Sequence, residues 1–323
     1  MPRILISASF PEAGLARQTP GGTGRWEEFE FVFSPTAEAV DGWVVYDDLQ
    51  RPLEQLCPAE NTLLITGEPA SVRRYRSRFT SQFSQIWTAQ DDMRHPRVTY
   101  RNEGQPWHYA MHPSQAHHAA LGYDQLSSLA CPAKPKLLSV ICSTKQITAD
   151  QRQRIEFTRI LQAELGDQID VFGRGRREMT DKADAIWPYK YHIVLENDHS
   201  HHFMTEKMTD AYLGWSFPIY FGSDEAHHRF PEGSFAAIDI YQPEQALAII
   251  RDLISSSTFE AARPAIARAR EAVLVKHNLF AMLANYWREH LSPNPASLTK
   301  LLPKSHRTSL VLQQLGRNLR RAA

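Results

Sequence analysis

Short apolar segments recur along this chain, and most of them do not alternate with polar residues. Runs of four to seven residues rich in Ile, Val and Leu are typical of strands that are buried on both faces of a parallel sheet. The predicted strands are 3–7, 42–46, 62–65, 136–142, 169–172, 192–195, 218–221 and 236–240.

A helical pattern separates two of these predicted strands. Between 136–142 and 169–172, apolar residues recur near helical spacing from Ile155 to Leu165, and Gly166 ends the pattern. A strand, a helix and a second strand in this order predict a right-handed parallel crossover, so the predicted fold class is α/β.

A segment with two prolines divides the chain. Residues 127–136, SSLACPAKPK, come just before a new apolar strand and indicate a linker. We predict one domain over 1–130, a second over 131–299 and a separate tail over 300–323.

The tail has six Lys or Arg and no acidic residue. It is either a helix that lies on an anionic membrane surface or a docked or frayed terminal helix.

The composition excludes several classes of protein. Lys plus Arg and Asp plus Glu both number 36 in 323 residues, so nucleic-acid binding through a general basic surface is not expected. Three widely spaced cysteines without a C-x-x-C pair argue against a disulfide framework or a zinc ribbon and favour a reducing compartment. The first apolar run is too short for a signal peptide, so we expect a cytoplasmic protein.

Candidate chemistry is concentrated in the segment YKYHIVLENDHSHHFMTEKMTDAYLGWSFPIYFGS. A predicted strand ends at Glu196 and Asn197, and a predicted helix follows Thr205, a candidate N-cap, with Glu206 and Lys207 in its first turn. Ligands of parallel sheets bind beyond the carboxyl ends of strands, where helix N-termini present free N–H groups. A lysine and such amides suit phosphate oxygens, and a carboxylate suits sugar hydroxyls.

Histidines in and after this segment allow another interpretation. His199, His201 and His202, with His227 and His228, are candidate zinc ligands. Because no cysteine lies nearby in the sequence, we favour a site without metal.

The motifs resemble the donor-binding signature of the family 10 fucosyltransferases. YKYHIVLEN, FMTEK and FPIYFGS stand where members have a Tyr-Lys-Tyr/Phe strand ending in Phe-Glu-Asn, a Tyr-Val/Ile-Thr-Glu-Lys segment and a strand ending in Gly. IDVFGRG resembles the family's Val-Asp-Val-Tyr/Phe-Gly-Arg strand, LLITGEPA its strand ending in Gly-Glu, and SVICSTK a weaker form of its strand ending in Ser-Asn. Leu195 and Phe203 depart from the usual Phe and Tyr, and the second change loses a hydroxyl.

The resemblance implies a GT-B architecture, with two Rossmann-like domains facing a cleft. It implies an inverting transfer of L-fucose from GDP-fucose to a glycan hydroxyl, with a GlcNAc-type acceptor and an α-1,3-like linkage. Glu68 corresponds to the proposed base. The implied donor-binding residues are Ser143, Thr144, Arg174, Glu196, Asn197, Phe203, Glu206 and Lys207.

Cofactor and partner expectations follow from the same resemblance. The chain contains no Asp-x-Asp motif, so we expect Arg174 and Lys207, rather than a divalent metal, to neutralise the leaving group. The acceptor is expected to be an oligosaccharide or a lipid-linked glycan, and the tail could hold the protein on the inner face of a membrane. Trp107, His108 and Tyr109 either stack on an acceptor sugar or pack within the protein.

Two alternatives stay open at this point. A GT-B transferase that uses another nucleotide sugar, such as GDP-mannose, would carry the same phosphate-binding motifs. A catalytically silent protein that binds a nucleotide sugar or a glycan would also carry them, although the presence of both Glu68 and the Arg174 and Lys207 pair argues against it.

Overall fold

Two largely parallel sheets account for the apolar segments of the sequence. The structure, a computed structural model, describes residues 1–10, 14–101 and 104–305. The strands are β1 (Arg3–Ala8), β2 (Arg25–Trp26), β3 (Phe29–Val32), β4 (Gly42–Tyr46), β5 (Leu53–Cys57), β6 (Thr62–Ile65), β7 (Gln85–Thr88), β8 (Val98–Tyr100), β9 (Lys136–Ile141), β10 (Ile169–Phe172), β11 (Tyr189–Leu195), β12 (Phe217–Phe221), β13 (Ala236–Ala237) and β14 (Ser297–Leu301).

Helices connect the strands and cover the sheets. They are α1 (Ser77–Thr80), α2 (Tyr123–Ser128), α3 (Ala149–Leu165), α4 (Ala183–Ile186), α5 (Glu206–Leu213), α6 (Ala226–Arg229), α7 (Pro243–Ser255), α8 (Thr258–Val275) and α9 (Leu279–His290). In the part of the chain that the structure describes, none of these helices combines the length and the apolar character needed to cross a bilayer.

The first sheet has the strand order β2-β3-β1-β4-β6-β7-β8. Only β2 runs antiparallel to its neighbour, and the other pairs are parallel. Along β1, Ile4 and Ile6 pack on the face that α9 covers, whereas Leu5 packs on the opposite face. Burial on both faces explains why this strand reads as a continuous apolar run.

The second sheet is wholly parallel, with the order β10-β9-β11-β12-β13. From β9 the chain moves to one side to form β10, and then returns to the other side of β9 to form β11. The connection from β9 leads to one side of the sheet and the later connections lead to the other side, so the direction reverses between the neighbouring strands β9 and β11. Such a switch point leaves a crevice at the carboxyl edge, where parallel sheets bind ligands.

The C-terminal part of the chain returns to the first sheet. Phe280, Leu283 and Trp287 of α9 are buried against the first sheet, and β14 pairs antiparallel with β5. This differs from the predicted division at 299/300, because the apolar face of α9 completes the core of the N-terminal half. The part of the predicted tail from 306 to 323 lies outside the described residues.

The segment before the predicted linker packs on the second sheet. Trp107, Tyr109 and Leu126 are buried in the core that this sheet forms with its helices. These three residues precede the predicted boundary at 130 but pack with the second sheet. The first sheet with α9 and β14 forms one layered unit, called here the N-terminal half, and residues 104–275 form the C-terminal half.

Candidate functional site

The segments that follow β9 and β11 line a small cavity at the switch point of the second sheet. Its volume is about 150 Å³, and it is called the donor-side cavity below. Four of the predicted donor-binding residues line it, namely Ser143, Asn197, Glu206 and Lys207. The structure thus brings together residues that are more than sixty positions apart in the sequence, at the place where a parallel sheet binds ligands.

A buried carboxylate fixes the start of α5. Glu196 is completely buried, and its Oε1 accepts the backbone N–H of Thr205 at 2.7 Å. The hydroxyl of Thr205 lies 2.8–2.9 Å from both carboxylate oxygens. Thr205 is also the N-cap residue of α5, because its side chain accepts from the backbone N–H of Lys207.

Lys207 completes this arrangement. Its Nζ lies 2.8 Å from Oε2 of Glu196 and 2.9 Å from the hydroxyl of Thr205. Glu196 is fully occupied by these two partners and is not part of the cavity wall. These contacts favour a role for Glu196 in positioning Lys207, and its predicted donor contact stays a prediction.

A second lysine forms ion pairs with two carboxylates on α5. Nζ of Lys182 lies 2.8 Å from Glu206 and 2.8 Å from Asp210. Burial alone would lower the pKa of Lys182, but the charges of Asp210 and Glu206 outweigh it and raise that pKa above its ordinary value. Burial would likewise raise the pKa of Glu206, but Lys182 and Lys207 hold it well below its usual range. Lys182 and Glu206 are therefore both charged at neutral pH.

The same network reaches the segment before α2. Oδ1 of Asp210 accepts the backbone N–H groups of His108 and Tyr109 at 2.9 and 3.0 Å. His108 is exposed, and its Nδ1 lies 3.3 Å from Glu206. The rings of Trp107 and Tyr109 are buried, which favours packing within the protein over stacking on an acceptor sugar for these two residues.

Phe203 is also buried, with 1% of its surface exposed. Its ring is a packing residue ahead of α5 and is not part of the cavity wall. Burial favours a packing role for Phe203 over the predicted donor contact, because an apolar ring without a hydroxyl is better placed in the core than in a polar site.

The turns after β9 and β10 lie against each other. Gly173 has a φ of +134°, and a Cβ built on it would lie 2.5 Å from the carbonyl oxygen of Cys142. A Cβ on Gly175 would lie 3.2 Å from the side chain of Thr144. Arg174, between these glycines, is therefore held close to the turn after β9. Arg174 and Thr144 are exposed and do not line the cavity.

Glu68 follows β6 at the carboxyl edge of the first sheet and is half-buried. Burial raises the pKa of Glu68, and the charge of Asp47 raises it further. Arg73, Lys207 and Lys145 act in the opposite direction. Lys207 and Lys145 belong to the other half of the molecule, so the Glu68 carboxyl lies within reach of charges from that half.

The loop between β11 and α5 contacts both halves. Asp198 accepts a hydrogen bond from the hydroxyl of Ser71 at 2.5 Å. The ring of His202 stacks on Tyr100, with 5.4 Å between ring centroids and 10° between the planes. This loop therefore joins the two halves of the molecule beside the donor-side cavity.

Three functional residues escaped the sequence analysis. Arg154 of α3 is buried and donates to Oδ1 of Asn197, and Lys182 and His192 line the same cavity. A charged residue on the apolar side of a predicted helix was a usable signal for Arg154. Lys182 lies in a polar loop, where no local pattern distinguishes it from a solvated lysine.

Comparisons with known proteins agree with this site. Residues 131–259 match the family described as glycosyltransferase family 10 (fucosyltransferase), C-terminal part. An α-(1,3)-fucosyltransferase, FucT, of Helicobacter pylori is 31% identical over 74 residues, which are 23% of this chain and 16% of that protein. The match thus spans about a sixth of the length of the curated relative.

Two solved structures share the overall arrangement. A crystal structure of an α1,3-fucosyltransferase is 14% identical, covers 91% of this chain and 90% of that chain, and has a TM-score of 0.50. The apo structure of OtsA is 7% identical, covers 91% of this chain and 100% of that chain, and also has a TM-score of 0.50. At these identities the likeness concerns the fold, which is GT-B as the resemblance implied. Residues 131–259 are thus similar to the C-terminal part of glycosyltransferase family 10.

Proposed function

We propose that this protein transfers L-fucose from GDP-fucose to a hydroxyl of an acceptor glycan, with inversion at the anomeric carbon. The observation that supports the proposal is that the charges of Lys207 and Lys145, which belong to the half similar to family 10, act on the carboxyl of Glu68 in the other half. The name of the Helicobacter pylori relative supports fucose as the transferred sugar and an α-1,3-like linkage.

In the proposed reaction, Glu68 removes the proton of the acceptor hydroxyl as its oxygen attacks the anomeric carbon. A new bond forms between this oxygen and the sugar, and the bond between the sugar and the β-phosphate breaks, so that GDP leaves. The raised pKa of Glu68 suits a general base, because a base is most effective when its pKa approaches the working pH.

The departing phosphate gains negative charge, and Lys207 and Arg174 are the side chains proposed to balance it. One cation about 4 Å from a phosphate oxygen contributes roughly 4 kcal/mol at an effective dielectric of about 20, before desolvation is subtracted. The first backbone N–H groups of α5 add to this stabilisation. We propose that these groups act in place of a divalent ion.

Ligand-dependent unfolding tests the donor. The melting temperature is measured with GDP, GDP-fucose, GDP-mannose and UDP-glucose. A ligand at about 100 times its dissociation constant stabilises the fold by roughly 2.7 kcal/mol, a shift of a few degrees for a chain of this size. We expect stabilisation by GDP and GDP-fucose, less by GDP-mannose and none by UDP-glucose. A stronger effect of GDP-mannose would identify the other donor instead.

Transfer is then measured with GDP-fucose and a panel of acceptor glycans. Glu68→Gln should keep the melting shift with GDP-fucose and lose about 10²–10⁴-fold in rate. Glu54→Gln, which removes an exposed ion pair with Lys300 on the same half, serves as the matched control and should keep the rate. If the wild type binds the donor but forms no product with any acceptor, the protein is a silent binding protein.

A further inference from the structure

Two of the five histidines noted in the sequence come together with a carboxylate beside the cleft. His201 and His202 lie in the loop that precedes α5, and Glu225 lies at the start of α6. One ligand atom from each of the three residues lies within 4.8 Å of the others. None of the three lines the donor-side cavity.

The distances in this cluster fit a small transition-metal ion. Oε1 of Glu225 lies 3.0 Å from Nδ1 of His202 and 3.6 Å from Nε2 of His201. Bonds of about 2.0–2.1 Å from zinc to nitrogen and oxygen place two tetrahedral ligands about 3.3 Å apart. The two separations bracket this value, so little movement of the side chains is needed to admit an ion.

Each histidine also has a carboxylate on its other ring nitrogen. Nδ1 of His201 lies 2.5 Å from Asp224, and Nε2 of His202 lies 3.7 Å from Asp91. Histidines that bind metals commonly use the second nitrogen in this way, which fixes the ring and its tautomer.

The carboxylate of Glu225 is oriented as well. Its Oε2 accepts from Arg229 at 2.9 Å, which leaves Oε1 directed to the two imidazoles. The hydroxyl of Ser223 donates to the backbone carbonyl of His201 and holds the loop against the end of β12. Both sides of the cluster are therefore attached to the second sheet.

We propose that His201, His202 and Glu225 form a binding site for a divalent transition-metal ion of the zinc type. Asp91 belongs to the N-terminal half, so the ion would tie the loop ahead of Thr205 to both halves of the molecule. The other group of suitable residues, His108, Glu206 and Asp210, is a poorer candidate. Nζ of Lys182 already forms ion pairs with both of its carboxylates.

Zinc titration by calorimetry tests the proposal on the full chain, prepared without a polyhistidine tag and freed of metal by a chelator. We expect one saturable zinc site per chain in the wild type. His202→Ala should lower the affinity at least about 100-fold, and Asp224→Asn about 10–100-fold. His228→Ala, an exposed histidine outside the cluster, is the matched control and should leave the affinity unchanged.

Cobalt(II) gives a second readout, because its visible absorption reports tetrahedral coordination by nitrogen and oxygen. The wild type and His228→Ala should show this absorption, and His202→Ala should not. Circular dichroism in the presence of a chelator checks that each variant is folded, and Glu225→Gln replaces His202→Ala if that variant is not.

Absence of saturable zinc binding in the wild type would overturn the proposal. So would equal affinity in the wild type and His202→Ala, or a loss confined to His228→Ala, since either result would place the ion elsewhere. The experiments use no nucleotide and no acceptor, so their outcome is independent of the proposed transfer reaction.

Discussion

Nζ of Lys207 lies 2.8 Å from Oε2 of Glu196, a carboxylate with no exposed surface. The lysine itself keeps 22% of its side chain exposed, at the mouth of the donor-side cavity. A buried anion thus holds a partly exposed cation at the place where the leaving group of the proposed reaction would lie. Several of the tests below examine this arrangement and its surroundings.

Glu196→Gln should destabilise the protein by about 2 kcal/mol. The neutral amide still accepts hydrogen bonds from Thr205, but the charge that holds Lys207 is lost. Chemical denaturation measures the change in the free energy of unfolding. Glu164→Gln, which removes an exposed ion pair of 2.7 Å with Arg251, is the control and should cost no more than about 0.5 kcal/mol. Similar losses in both variants would show that the buried pair has no special importance.

Lys182→Met should have a larger effect, because two carboxylates lose their common partner. We expect a loss of about 3 kcal/mol or more in the free energy of unfolding, and weaker binding of GDP. Adding Asp210→Asn to this variant removes one unpaired charge and should recover part of the loss. A double variant that is less stable than the sum of the two single variants would argue against the charge network.

The proposed transfer should depend on pH through Glu68. Burial and Asp47 raise the pKa of this carboxyl, and only its deprotonated form can accept the proton of the acceptor. The rate at saturating donor should therefore rise with pH through a pKa above the ordinary value of 4.5. Initial rates between about pH 5 and pH 8 measure this dependence. The same rise in the residual activity of Glu68→Gln would mean that another group is responsible.

Stability should fall in mild acid because of His192. Burial, with smaller contributions from Lys182 and Lys134, lowers the pKa of His192 from 6.5 to about 3. The folded state thus favours the neutral ring, so this contribution is complete above pH 6.5 and is lost as the pH falls towards 3. At about pH 5 the loss should be near 2 kcal/mol relative to about pH 8. His192→Asn should reduce this pH dependence by the same amount, and an unchanged dependence would assign it to other groups.

Gly173→Ala should disrupt the turn that carries Arg174. The new Cβ would lie 2.5 Å from a backbone oxygen, at a φ of +134°. Gly22→Ala is a matched control, because Gly22 also has a positive φ, of +66°, but has no atom within 4 Å of the added Cβ. The control should cost about 1 kcal/mol, and Gly173→Ala at least about 2 kcal/mol more. Equal melting temperatures for the two variants would contradict the close approach described here.

Local sequence patterns were enough to locate the sheets and the start of α5. All eight predicted strands are present in the structure, with small differences at their ends, because strands buried on both faces need continuous apolar runs. Thr205 is the N-cap of α5 as predicted. Six strands were missed, namely β2, β3, β5, β7, β8 and β14. Each has only two to five residues and contains polar ones, so none leaves a continuous apolar run.

The contacts that the site residues make with one another could not be predicted from local sequence patterns. Glu196 and Glu206 look alike in the sequence, and both were predicted to contact the donor. Only the folded chain shows that Glu196 is enclosed by Thr205 and Lys207, while Glu206 lines the cavity with Lys182 beside it. These contacts join residues that are distant in the chain, and no spacing rule specifies them.

The return of α9 and β14 to the first sheet has a consequence for synthesis on the ribosome. The strands of the N-terminal half emerge first, but the helix that covers one of their faces is among the last segments to be made. Until α9 appears, the face that carries Ile4, Val44 and Leu63 lacks the cover of this helix, and chaperones that bind exposed apolar surface have time to act. The first half to be translated is therefore the last to complete its core.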